Sequence, residues 1–369
     1  MTLAAEDSAL ARLRLARTEG IGPLTFRRLL TRHGSAAAVL DALPGAGRGL
    51  VYRPPSPARV QRELDAVAGM GGRFIFLDDP DYPPLLAQLA DAPPALAVIG
   101  EIGLLRQRQV ALVGARHASA LGRRFASELA EELARAGIVV TSGLARGIDG
   151  AAHVGALRGG RTIAVIPGGL DRAYPPEHAE LQGLIAEHGA VVAEAPLGTA
   201  PIARHFPRRN RIIAGLSLGV VVVEAALNSG TLMTARLALE AGREIFAVPG
   251  SPLDPRSAGA NDLLRQGAWL TERAEDVLAN LPAGPRDAPL LAPRPMPKNL
   301  PDAPSPPPGT AGPAAQLLDL IGASPVVVDE LMRRCHLSAA AVQALLFELE
   351  LEGRIEVLPG NRVVRSGLP

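Results

Sequence analysis

Turns rich in glycine, hydroxyl groups and arginine follow several short apolar runs of this chain. A glycine lets the backbone turn tightly, so that successive N–H groups point at one spot, and an arginine adds a two-pronged cation. Both features bind phosphate oxygens, and a helix that begins after such a turn adds its positive end. The sequence therefore predicts an anion-binding surface, with the candidate residues Gly114, Arg116, Ser142, Gly143, Arg146, Gly147, Gly168 and Gly169.

A basic stretch around an aromatic residue is the second candidate. Phe206 lies among arginines in the segment PIARHFPRRNRIIAGLS at 201–217. Basic groups beside a ring suit single-stranded nucleic acid, because cations follow the backbone while a base stacks on the ring. Pro207 can start a helix that has Arg208 and Arg211 on one face. The candidates from this stretch and from the next helix start are Phe206, Arg209, Asn210, Arg211, Ser229, Gly230 and Thr231.

Other interpretations of these residues are open. Each turn by itself is also compatible with a plain strand-to-helix connection. The turn at Gly114 lacks the second glycine of the G-x-G-x-x-G motif, which argues against a dinucleotide cofactor. Asp149 and His153 lie one helical turn apart, but two ligands without a third favour a helix-start acid and a packed histidine over a metal pair. The sequence predicts no cofactor, no metal site and no catalytic set.

Buried parallel strands must position these turns. The apolar runs are VALVGAR at 110–116, VVTSGLARG at 139–147, IAVIPGG at 163–169, VVVVEA at 220–225 and IFAVPG at 245–250, and RFIFL at 73–77 fits an edge strand. Continuous apolar runs that alternate with helix-length segments are typical of parallel sheets covered on both faces. Their carboxyl ends share one edge, where such sheets bind ligands. The predicted fold class is α/β, with an extended Rossmann-like, mostly parallel sheet.

The chain of 369 residues is too long for one ordinary core. We predict a helical domain over 1–70 that is SAM- or helix-hairpin-helix-like, the sheet domain over 71–281, a proline-rich linker over 282–313 and a winged-helix domain over 314–369. The Gly-Ile-Gly-Pro turn at 20–23 is either purely structural or a DNA contact.

The tail pattern is three helices and a hairpin. Ser338 caps the third helix, and strands at 354–358 and 362–364 flank a Pro-Gly-Asn turn. A duplex reader carries basic or amide side chains on its third helix. This helix offers alanines and Gln343, with acids at Glu348, Glu350 and Glu352. The pattern favours contact with a protein over duplex reading.

Charge, cysteine content and hydropathy restrict the function classes. The net charge of +1 does not by itself indicate a strong nucleic-acid binder, but arginines concentrate in acid-free segments at 102–127 and 195–223. The single cysteine, Cys335, excludes an internal disulfide framework and fits a reducing cytoplasm. We expect no export signal, and no apolar stretch is long enough to cross a bilayer.

Six ordered motifs resemble the DNA-processing protein A (DprA, or Smf) family. They are GAR at 114–116, SGLARGID at 142–149, PGGLDRAYP at 167–175, FPRRNRIIAGLS at 206–217, EAALNSGTLMTA at 224–235 and GREIFAVPG at 242–250. The resemblance covers about residues 73–280, and the helical front and winged-helix tail occur in some members of the family.

This resemblance implies a cytoplasmic single-stranded-DNA-binding protein of natural transformation. Members protect incoming strands and load the recombinase RecA onto them, as dimers through the α/β domain. The family pattern assigns DNA contact to Arg116 and places Phe206, Arg209 and Asn210 in the same groove. The chain departs from many relatives at Ala115, where they carry serine, so one hydroxyl donor is missing.

Three function classes follow. The first is binding without catalysis, in which Arg116, Arg146, Arg209 and Arg211 hold successive phosphates, so that log K falls with log salt with a slope of roughly −3. The second is a nucleotide hydrolase with Glu224 as general acid or base. The motif P-G-G-x-G-T-x-x-E of such enzymes is incomplete, since leucine and aspartate follow PGG at 167–169. The third is a duplex-reading regulator that uses residues 314–369.

Overall fold

The structure is a computed structural model and describes residues 8–43, 52–227 and 229–282, with further positions between 317 and 365. The described residues form two compact units. The larger unit contains those of 8–41 and 53–282, and the smaller unit contains those from 317 onward together with residues 42, 43 and 52. The predicted linker lies outside the described residues except for Pro282, as do Cys335, Ser338, Gln343, Glu348, Glu350 and Glu352.

A nine-stranded sheet is the centre of the larger unit. Its order is β1-β2-β6-β5-β4-β3-β7-β8-β9. Strand β2 is antiparallel to β1 and to β6, and the other pairs are parallel. The mostly parallel sheet confirms the predicted fold class. The strands are Gly72–Phe76, Ala95–Gly100, Gln109–Val113, Val139–Ser142, Thr162–Ile166, Ala190–Ala193, Gly219–Val222, Glu244–Ala247 and Trp269–Leu270, numbered β1 to β9 in that order.

Every apolar run named above overlaps a strand. Strands β2, β6 and β9 were not predicted. Strand β3 lies between β4 and β7, so the strand order reverses at β3. Open α/β sheets bind their ligands outside the carboxyl ends of the strands at such a switch point. The turn that begins at Gly114 lies there, directly after β3.

Helices cover both faces of the sheet, which explains why the strands are apolar throughout. Val110 and Leu112 of β3 pack on one face, and Ala111 and Val113 pack on the other. One helical layer contains α6, α7, α8 and α12, and the other contains α5, α9, α10 and α11. Helices α5 to α12 are Pro84–Ala87, Ala120–Arg135, Ile148–Gly159, Ala179–His188, His205–Leu216, Gly230–Glu240, Ala258–Arg265 and Ala274–Asn280.

The helical front packs on the sheet within the same compact unit. Its helices α1 to α4 are Ala9–Ala16, Pro23–His33, Ala36–Ala42 and Pro57–Gly69. Leu13 of α1 and Val60 of α4 share one apolar cluster with Phe74, Phe76 and Ala95 of the sheet. The predicted domain boundary at residue 70 therefore does not separate two hydrophobic cores.

The smaller unit has a three-stranded antiparallel sheet of order β10-β12-β11. Its strands β10 to β12 are Val326–Val327, Ile355–Leu358 and Arg362–Arg365. The hairpin of β11 and β12 confirms the two predicted strands, and β10 is additional. Described helical positions supply its core, among them Leu317, Leu318, Leu331, Val342, Leu346 and Leu349.

Among the described helices, none has both the length and the hydropathy that crossing a membrane requires.

Candidate nucleic-acid interface

An exposed arginine over an aromatic ring marks the switch point. Arg116 lies in the turn between β3 and α6, and its guanidinium carbon is 4.5 Å from the centroid of the Phe206 ring. Tyr174 meets the same ring edge-on, with centroids 5.7 Å apart and planes at 67°. The contacts hold Phe206 in place at the start of α9. Sequence reasoning did not assign Tyr174, although the Tyr-Pro pair of its motif was visible.

The turn after β4 packs directly against the turn after β3. The Ile148 N–H donates to the Ala115 carbonyl at 3.3 Å. Gly147 has a φ of +77°, and a Cβ atom there would collide with the backbone of Ala115 and Arg116. Only glycine satisfies both conditions, so Gly147 is needed to bring the two predicted turns together.

Arg146 reaches solvent from the turn after β4, but it has a partner. Its Nε donates to the carboxylate of Glu177, and both side chains are about half exposed. The hydrogen bond from Arg146 lowers the pKa of Glu177 to about 2. Sequence reasoning missed Glu177. Its carboxylate binds the Arg146 guanidinium, which we predicted to bind phosphate.

Arg209 requires a correction. It is 5% exposed, and its Nη1 donates to the carbonyl of Gly143 and, at 2.8 Å, to that of Val165. Burial lowers its pKa to about 10, so it stays charged at neutral pH. Burial also raises the pKa of Asp149, and the charge of Arg209 opposes that rise. Arg209 therefore fixes the ends of β4 and β5 from inside, and its Nη1 is already engaged by these two carbonyls.

Gly143 and Asn210 belong to the same internal arrangement. A Cβ atom on Gly143 would overlap the Arg209 guanidinium, so the glycine makes room for it. The Asn210 side-chain oxygen accepts from Arg209 Nε at 3.1 Å. These predicted DNA contacts thus lie beside the buried arginine.

Arg211 requires a second correction. It is 9% exposed, and its Nη2 lies 2.6 Å from a Glu194 carboxylate oxygen. Its Nε lies 3.6 Å from Asp91, whose carbonyl also accepts from Nη1. We predicted that Arg208 and Arg211 share one face of the helix, but Arg208 is exposed and Arg211 is buried. The helix also begins at His205, before Pro207.

Two further predicted donors, on Ser142 and Gly169, are used inside the protein, and Gly168 is buried. The buried Ser142 hydroxyl donates to the Leu112 carbonyl at 2.6 Å. Gly168 and Gly169 are buried, and the Gly169 N–H donates to the Thr199 carbonyl at 3.1 Å. These groups shape the sheet edge and are not available as anion donors.

The start of α10 lies against the turn after β3. The Thr231 hydroxyl donates to the Gly114 carbonyl at 3.1 Å. Gly230, the first residue of α10, is exposed, and Ser229 precedes it without a side-chain cap bond. The first N–H groups of a helix have no partner within the helix. The structure thus brings Gly114, Arg116 and residues 229–231 to one place.

Glu224 is held by the start of α6. Its carboxylate accepts from the Ser119 N–H at 2.9 Å and from the Ser119 hydroxyl. The Ser119 hydroxyl in turn accepts from the Gly122 N–H at 2.8 Å, so it caps the helix. A carboxylate at this position stabilises the positive helix end. Glu224 therefore has a structural role here, which weakens its candidacy as a general acid or base.

Asp149 and His153 are buried within α7. The His153 Nδ1 lies 2.7 Å from the Thr162 hydroxyl, which itself donates to the Val140 carbonyl. The histidine is therefore packed, as the sequence indicated. Over the described ranges, no group of three or more potential ligands could hold a metal ion.

The fold and the site together define a class of protein. It is a Rossmann-like scaffold whose switch point presents Arg116, Arg146, a fixed aromatic ring and the N-terminal end of α10. Such a surface matches a phosphate backbone with adjacent bases.

The family comparison places the chain more closely. The family model of DNA recombination-mediator protein A matches residues 73–282. The models of the DprA winged helix domain and the DprA-like N-terminal HHH domain match 301–361 and 6–66. The chain belongs to the DNA recombination-mediator protein A family, which confirms the resemblance and the predicted winged helix.

Individual relatives agree with this assignment. The chain is 45% identical over 294 residues to Protein Smf of Escherichia coli, covering 78% of this chain and 75% of that protein. The crystal structure of DNA processing protein A from Streptococcus pneumoniae is similar, with a TM-score of 0.66, 33% identity and coverage of 75% and 99%. A structure that describes single-stranded DNA binding by DNA processing protein A of Helicobacter pylori has a TM-score of 0.51 and 32% identity, with coverage of 56% and 94%.

Proposed function

We propose that this chain binds single-stranded DNA without sequence preference at the switch point of its sheet. The observation that carries the proposal is the exposed Arg116 guanidinium over the Phe206 ring, at the carboxyl end of β3. When the guanidinium moves to a phosphate, it leaves a ring face on which a base can stack. Single-strand binders combine these two contacts. The related protein from H. pylori, whose structure describes single-stranded DNA binding, supports the same ligand.

Because Arg209 and Arg211 are buried, the site should bind fewer phosphates than the sequence predicted. Arg116 and Arg146 are the exposed guanidiniums at the switch point, in place of the four arginines first expected. Each phosphate contact on a single strand contributes about 0.7 to the salt slope. A short oligonucleotide that fills only this site should therefore give a slope of about −1.4.

The test is a salt titration of binding by fluorescence anisotropy. Arg116→Ala should weaken binding to all base compositions alike and make the slope shallower by about 0.7. The matched control is Arg135→Ala, which removes an exposed arginine from the last turn of α6. Equal affinity of Arg116→Ala and the parent at every salt concentration would overturn the proposal.

We further propose that the protein acts in the cytoplasm without catalysis, as a homodimer through its α/β domain, and loads RecA onto incoming DNA in natural transformation. The engaged state of Glu224 supports a binding role. Exposed Trp269 and Leu270 on edge strand β9 support association through this domain. Sedimentation of the full chain tests the dimer, and RecA filament growth on protein-coated strands tests loading.

A further inference from the structure

A groove of about 960 Å³ lies beside the switch-point site. It is lined by Pro167, which follows β5, and Glu194, which follows β6. The start of α9 with Arg208 and the turn at 20–23 with Leu24 at the start of α2 also line it. The groove is thus lined jointly by the sheet edge and the helical front, inside the larger unit.

The groove continues the same edge of the sheet. Along the order β3-β4-β5-β6, the Arg116 turn follows β3, and the groove begins at the ends of β5 and β6. Neighbouring strands are about 5 Å apart, so two to three strand spacings correspond to about 10–15 Å. A strand of a few nucleotides bound at Arg116 can extend that far.

Two arginines at the start of α9 have uncompensated charge. Arg204 and Arg208 are one helical turn apart and exposed, and neither has an acidic partner in the part of the chain that the structure describes. Like charges at this spacing repel each other, and cations at a helix start also oppose the helix dipole. A bound polyanion relieves both effects.

The two carboxylates of the groove share one internal guanidinium, which compensates part of their charge. Glu194 and Asp91 both face Arg211, at 2.6 Å and 3.6 Å. Arg17, directly after α1, donates to the Glu194 carbonyl at 3.0 Å and so ties the helical front to the end of β6.

We propose that single-stranded DNA runs from the Arg116 site along the sheet edge into this groove. Arg204 and Arg208 bind its phosphates, and its bases lie against apolar side chains of the lining, among them Leu24, which is 61% exposed, and Met233. The helical front is then part of the DNA site. This proposal rests on the proposed function and extends it to residues outside the switch point.

Oligothymidylates of about 4 to 16 nucleotides test the proposal with the full-length chain. In the parent, affinity should rise with length and the salt slope should steepen from about −1.4 to about −2.8, because two phosphate contacts are added. Arg208→Ala should lower affinity for the long oligonucleotide about tenfold, with little change for the short one. Leu24→Glu places a carboxylate in the groove lining and should have the same selective effect.

Matched controls separate this result from general damage. Leu184→Glu adds the same charge at an exposed leucine of α8, which does not line the groove, and should leave both affinities unchanged. Long-oligonucleotide binding that is equal in the parent, Arg208→Ala and Leu24→Glu overturns the groove proposal. If the short oligonucleotide still depends on Arg116, the proposed function stands while the groove proposal falls. If it does not bind, the proposed function fails.

Discussion

Replacing Arg209 by alanine separates a structural arginine from a DNA-contacting one. The change removes the donor to Val165 at 2.8 Å and the donor to Gly143, and it takes away a charge that favours the ionised form of the buried Asp149. A buried acceptor left without its donor costs about 1–3 kcal/mol, so the two carbonyls together should cost about 3–5 kcal/mol. In a unit of this size, each kcal/mol corresponds to about 2–4 °C, so the melting temperature should fall by about 6–20 °C.

The measurement is thermal denaturation by circular dichroism, together with the salt titration. Arg116→Ala is the matched variant, because its exposed guanidinium should change stability by less than about 0.5 kcal/mol while DNA affinity falls. Adding Asp149→Asn to Arg209→Ala should restore part of the lost stability, since the unpaired buried charge disappears. The reasoning is refuted if Arg209→Ala melts with the parent and makes the salt slope shallower by about 0.7.

Two further changes probe the ionisable groups. Glu177→Gln should tighten single-stranded DNA binding by up to about fivefold in anisotropy, because the carboxylate no longer competes for Arg146. Burial lowers the pKa of His153 from 6.5 to about 3, so the unfolded chain takes up a proton that the folded one refuses. Stability should therefore fall by about 2 kcal/mol from pH 7 to pH 5 in urea denaturation, and His153→Gln should remove this part of the pH dependence.

Substitutions of exposed residues are the controls for Glu177→Gln and His153→Gln. Glu187→Gln removes an exposed carboxylate from α8 and should leave DNA affinity unchanged. Unaltered affinity in Glu177→Gln would mean that Arg146 does not bind phosphate. His188→Gln removes an exposed histidine, and its pH dependence should match the parent. The interpretation of His153 is wrong if the stability of His153→Gln depends on pH in the same way as that of the parent.

The parallel part of the sheet could be predicted from sequence because its strands are buried on both faces. The runs around Val110, Val140 and Val221 are apolar without alternation and end in turn residues. Strands β2, β6 and β9 gave weaker signals. Ala95–Gly100 follows a proline-rich connection, Ala190–Ala193 has only four residues, and Trp269–Leu270 has two.

The direction of the arginines could not be read from residue type alone. Arg209, Arg211 and Arg208 look equivalent in the segment, yet one faces solvent and two face inward. The helical period held part of the answer. Arg209 lies three and four residues before Ile212 and Ile213, which are buried, so it shares their side of α9. The carboxylates that bind Arg211 belong to Asp91 and Glu194, which are distant in sequence, so no local pattern predicts these contacts.

The shared core between the helical front and the sheet affects how the chain can be divided. Phe74, Phe76 and Ala95 are shielded from water by Leu13 and Val60, which come from the first and fourth helices. A fragment that begins near residue 73, where the family match begins, would expose the rings of Phe74 and Phe76 and should therefore tend to aggregate. Sequence similarity and cooperative folding therefore begin at different residues, and an expression fragment that keeps the sheet intact must start at the N-terminal helices.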